Sequence, residues 1–147
     1  MRRLCTIGFA KKPLKGFVNL LKDAQVTRLL DIRLHNTSQL AGFTKKEDLE
    51  FIMGLVGIEY VHDVSLAPDE ELYEEYKNKR VDWKGFKARY EQILQEQKVE
   101  QRVEEILGSG IPCFLCSEEK AQQCHRGLLV EYLQEIKPGE LEVRHLG

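Results

Sequence analysis

Short apolar segments alternate with segments of helical period along the whole chain, and this alternation is what most narrows the folds open to it. Leu4 to Gly8 reads as a buried strand ending at a glycine. After Pro13, the residues Leu14, Phe17, Val18, Leu20 and Leu21 recur at helical spacing. Arg28 to Arg33 is a second strand that carries charge at its C-terminal end. Leu34 to Phe43 is polar and reads as a loop. Thr44, with Glu47 three residues on, predicts a capping box for a helix bearing Leu49, Ile52, Met53 and Val56. Ile58 to Val61 is a third short strand. From Pro68 to Leu107 the pattern is helical, with Trp83, Phe86 and Tyr90 on a face whose default is burial. Gly108-Ser109-Gly110 ends that stretch, and Ile111 to Leu115 is a fourth strand. Leu128, Leu129, Tyr132, Leu133 and Ile136 mark a last helix. Pro138-Gly139 then turns the chain into alternating Leu141, Val143 and His145. Strands that alternate with helices predict a three-layer α/β domain: a mostly parallel sheet with helices on both faces. No repeat or linker divides residues 1–147, so a single domain is expected, with the helices between about 69 and 107 as a lobe over one edge.

Composition restricts the partners. The chain carries 22 Lys plus Arg against 24 Asp plus Glu, a balance that argues against a duplex nucleic-acid binder. Lys11, Lys12, Lys15, Lys45 and Lys46 read as solvated surface. No apolar run is long enough to span a bilayer, and Met1 to Gly8 reads as a strand rather than a signal peptide. Four cysteines without a framework spacing predict reduced thiols and a cytoplasmic setting.

Chemistry concentrates between Cys113 and Arg126. Three of the four cysteines, a histidine and an arginine gather there, where a strand feeds a helix. Helix N-termini at such places offer free N–H groups and a positive dipole end. Cys113 and Cys116 look like a CxxC pair, but residues three apart on a strand point to opposite faces. Cys113 is therefore expected to be an apolar filler. Cys116 and Cys124 are the candidate reactive thiols, since a thiol near cations and a helix start holds more thiolate. Glu118 and His125 are the candidates to move a proton. Asp31, Arg33 and Arg126 are the candidate ligand-binding groups, with the two guanidinium groups as an anion clamp. The plainer reading is that Asp31 and Arg33 satisfy each other. The spacing of eight between Cys116 and Cys124 matches no common zinc pattern, so no metal is assigned, and no cofactor can be named.

With these residues in place, the chain resembles the domain-of-unknown-function family 488. Four blocks carry the likeness: Thr6-Ile7-Gly8-Phe9; Leu30-Asp31-Ile32-Arg33 with Ser38 and Phe43; Gly57 to His62 with Leu66-Ala67-Pro68 and Tyr76-Lys77; and Leu115-Cys116-Ser117-Glu118 with Cys124-His125-Arg126, closed by Val143 to Leu146. The resemblance implies one α/β domain with a site built from Arg33, Cys116, Glu118, Cys124, His125 and Arg126, and implies no activity. The chain departs from the family pattern in two loops. Leu34-His35-Asn36-Thr37 and Gln122-Gln123 stand where members often have proline.

The expectation is a cytoplasmic protein that binds a small anionic ligand at the C-terminal rim of the sheet and uses a thiol. The alternatives are a nucleic-acid-binding accessory protein and a structural interaction module whose Cys-His-Arg block only shapes a loop.

Overall fold

A computed structural model of the chain describes residues 1–35, 42–117 and 124–147. Five strands form one sheet in the order β3-β2-β4-β1-β5, and every pairing is parallel. The strands are β1 (Arg2–Gly8), β2 (Arg28–Asp31), β3 (Glu59–His62), β4 (Pro112–Cys116) and β5 (Leu141–Leu146). The helices are α1 (Leu14–Asp23), α2 (Lys46–Leu55), α3 (Glu70–Lys77), α4 (Trp83–Glu96), α5 (Val103–Leu107) and α6 (His125–Ile136).

The direction of travel across the sheet decides which helix covers which face. From β1 the chain moves past the place of β4 to β2, then on to β3. From β3 it turns back to β4, then passes β1 to reach β5. Parallel crossovers are right-handed, so reversing the direction transfers the connecting helices to the opposite face. Accordingly Phe17 and Leu21 of α1, with Leu49 and Met53 of α2, pack on Cys5, Ile7, Leu29, Cys113 and Leu115. Leu72 of α3, Tyr90 and Leu94 of α4, Ile106 of α5 and Leu129 of α6 pack on Leu4, Leu30 and Phe114. Cys113, Phe114 and Leu115 thus alternate between the two cores, as strand parity requires.

Local chemistry places the ends. Asp69 and Asp82 cap α3 and α4 by accepting from the N–H groups of Leu72 and Gly85, each at 2.8 Å. The capping box expected at Thr44 does not form. Thr44 lies in a 3-10 turn, Lys45 precedes the helix without a side-chain cap, and the Thr44 carbonyl accepts from Arg33 Nη2 at 2.7 Å. The helical pattern expected to run on through Val99 breaks after α4. Lys98 adopts a left-handed φ of 54°, and a 3-10 turn at Val99–Gln101 precedes the five-residue α5. β3 runs one residue later than its apolar pattern, ending at His62. Among the described residues, no helix is long and apolar enough to cross a membrane.

Candidate active site at the end of β4

β4 lies between β2 and β1, and its connecting helix sits on the face opposite to theirs. The carboxyl end of β4 is therefore flanked by switch points on both sides, where open α/β sheets form their crevices. Cys116 is the last residue of β4, in register with Gly8 of β1. The ladder runs on past it: Phe9 N–H donates to the Cys116 carbonyl and Ala10 N–H to that of Ser117.

A cavity of about 180 Å³ opens at this point. Its floor is Cys116, Ser117, Cys124 and His125, and Arg33, Leu34 and His35 form the β2 side. The remaining wall is Pro68, Tyr73, Tyr76 and Phe86, from the α3–α4 lobe and the turn before it. Tyr76 and Phe86 are in ring contact at 4.8 Å, which makes this wall a packed surface.

His125, the first residue of α6, bridges the ends of β4 and β2. Its Nε2 lies 2.7 Å from the Ile32 carbonyl oxygen, and its Nδ1 lies 3.7 Å from Cys116 Sγ. A carbonyl can only accept, so Nε2 carries a hydrogen and Nδ1 of the neutral ring is the acceptor facing the thiol. The ring rests edge-on against Tyr90, whose hydroxyl is held by the Leu66 carbonyl at 2.6 Å. Burial works against an imidazolium here. The negative charge of Cys116, its hydrogen bond and the Ile32 carbonyl outweigh burial and raise the pKa of His125. Cys124, just before the helix, is only 3% exposed. The adjacent Cys116 sulfur, then burial, push its thiol well up, which favours the protonated form of Cys124. The Cys116, Cys124 and His125 donor atoms all lie within 4.8 Å of one another. That spacing would let a thiophilic cation span them.

Asp31 and Arg33 form a buried unit of their own. Arg33 Nε and Nη2 donate to the two Asp31 oxygens at 2.8 and 2.7 Å, and the Tyr60 hydroxyl donates to Asp31 at 2.5 Å. Burial alone would lower the Arg33 pKa, but the Asp31 carboxylate more than compensates and raises it. Asp31 is in register with Leu115, one residue short of Cys116, so its side chain belongs to the α1–α2 face. Of Asp31, Arg33, Cys116, Glu118 and Arg126, expected around one cavity at the sheet's C-terminal edge, Arg33 and Cys116 line it together. Arg33 reaches the cavity wall with its charge offset by Asp31, and Asp31 itself is fully buried away from the lining. Arg126 is 1% exposed and outside the lining. Its Nε donates to Thr6 Oγ1 at 3.2 Å and its Nη1 lies 3.7 Å from Cys124 Sγ. Glu118 lies outside the described residues.

Sequence reasoning assigned no site role to Tyr73, Tyr76, Phe86, Pro68 or the Ile32 carbonyl. Pro68 and Tyr76 stand within the blocks that carry the family likeness, which was the available signal. The helical spacing of Phe86 and Tyr90 predicts core positions, and both are buried. His62 Nε2 bonds the Arg33 carbonyl at 2.9 Å.

The family model described as "Domain of unknown function DUF488" matches residues 13–133 of this chain. Neither the curated proteins nor the solved structures contain a significant match.

Proposed function

The chain belongs to the DUF488 family, whose description names no activity, and we propose from the cavity geometry that Cys116 is the nucleophile of a thiol-dependent enzyme acting on a small molecule. One observation carries this reading: the Ile32 carbonyl fixes the tautomer of His125 so that the Nδ1 lone pair faces Cys116 Sγ. His125 takes the thiol proton and holds the resulting thiolate as an ion pair. It is then placed to return the proton to a leaving group. The aromatic wall formed by Tyr73, Tyr76 and Phe86 suits the apolar body of a small substrate.

Arg33 on the lining favours a substrate with an anionic group, although Asp31 offsets its charge. The presence of a cavity weighs against a block that only shapes a loop.

The test is the alkylation rate of each cysteine by iodoacetamide, followed by peptide mass spectrometry. Cys116 should react first, and His125→Ala should slow it by about tenfold or more. A Cys116 that reacts no faster than Cys5 and Cys113, or at an unchanged rate without His125, removes the proposal.

A further inference from the structure

We infer that Cys116 and Cys124 form a two-thiol redox pair that reduces a small hydroperoxide, with Cys124 as the resolving thiol. This rests on the reading of Cys116 as the nucleophile and supplies its substrate class. Hydrolytic or acyl-transfer chemistry at Cys116 gives no task to a second thiol. A two-electron reduction needs one, close by and kept as a thiol until the first step is complete. Cys124 meets both needs: its sulfur lies within 4.8 Å of that of Cys116, and burial favours its protonated form. Both side chains are nearly buried, at 4% and 3% exposure, so a protein-sized thiol would reach an oxidised Cys116 only after Cys124 had done so. The cavity of about 180 Å³ admits a compact oxidant.

The steps balance. The Cys116 thiolate attacks the distal oxygen of the hydroperoxide. An S–O bond forms, the O–O bond breaks, and the alkoxide leaves as an alcohol with the proton from His125. Cys116 is then a sulfenic acid. The Cys124 sulfur attacks the Cys116 sulfur, an S–S bond forms, and the S–O bond breaks. The departing hydroxide takes the Cys124 proton and leaves as water. An external dithiol returns two electrons and two protons by exchange at the disulfide.

The other two cysteines provide an internal control. Cys5 and Cys113 also sit side by side in the β1–β4 register, but both are fully buried in the α1–α2 core, away from the cavity. Proximity without access predicts that they stay reduced.

The test treats the full chain with one equivalent of cumene hydroperoxide and maps the products by mass spectrometry. The expected result is loss of two free thiols and a linked peptide pair containing Cys116 and Cys124, reversed by dithiothreitol. Cys124→Ser, checked for folding by its thermal melt, should lose the linked pair and accumulate a Cys116 sulfenic acid that dimedone traps. Overoxidation of wild-type Cys116 without a linked pair overturns the inference, as does a Cys5–Cys113 link. So does a tightly held cation on Cys116 and Cys124 that keeps the thiols inert. If Cys116 alkylates rapidly yet no linked pair forms, the redox inference fails while the nucleophile reading survives. If neither occurs, both fail.

Discussion

His125 Nε2 donates to the carbonyl oxygen of Ile32 at 2.7 Å, tying the first residue of α6 to the residue that follows β2 across 93 positions of sequence. The bond aims the imidazole, satisfies a carbonyl at a strand end, and leaves Nδ1 for Cys116. His125→Ala should therefore weaken the fold as well as the proposed chemistry. Leaving the Ile32 carbonyl without this donor is expected to cost about 1–3 kcal/mol, readable as a lower urea midpoint. His125→Asn, whose amide is shorter, should recover little of either effect.

The buried Asp31–Arg33 pair should behave as a structural unit. Asp31→Ala strands the Arg33 guanidinium, and an uncompensated buried charge costs about 3–5 kcal/mol. Tyr60→Phe removes only the hydroxyl donor to Asp31 and should cost about 1.5–3 kcal/mol. Chemical denaturation of both variants checks the order. A milder effect from Asp31→Ala than from Tyr60→Phe would show that Arg33 does not depend on that carboxylate.

Arg126 is expected to matter for folding rather than for anion capture. Truncation to alanine empties a fully buried position beneath α6 and removes a donor to Thr6, at about 2–5 kcal/mol. Thermal melts with and without phosphate test this. The variant should melt lower under both conditions. Any phosphate stabilisation of the wild type that disappears with Arg126 would assign the side chain to a ligand after all.

A chain of hydrogen bonds leads from Arg126 to His145. Thr6 Oγ1 accepts from Arg126 Nε, so its hydroxyl hydrogen is available to His145 Nδ1 at 2.6 Å. That arrangement suits a neutral imidazole, and burial, followed by the nearby Arg126 charge, lowers the His145 pKa below 6.5. At acid pH the unfolded chain then binds the proton more readily than the folded one. The contribution of this group is full above the unfolded value and is lost as pH falls through the lower folded value. Denaturation midpoints should drop from near neutrality into the acid range more steeply for the wild type than for His145→Asn. Equal slopes would remove His145 as a source of acid sensitivity.

The alternation of apolar strands with helical segments is written in local periodicity, and it was enough to read the three-layer class, the parallel sheet and the approximate place of every strand. Strand parity was equally legible: it separates Cys113, in the α1–α2 core, from Cys116, at the cavity. Local signals failed where a tertiary partner intervened. Thr44 had the residue pattern of a cap, but the Arg33 guanidinium takes its carbonyl and the turn follows that contact. The composition of the cavity was beyond local reading altogether. Strand order and the right-handed crossovers bring Ile32, Cys116 and His125 together, and one step of register sends Asp31 to the opposite face. The α3–α4 lobe supplies an aromatic wall from residues whose spacing announces only burial. Periodicity records which side chains leave water. Which of them meet is decided by how the strands are ordered and which way the chain turns between them.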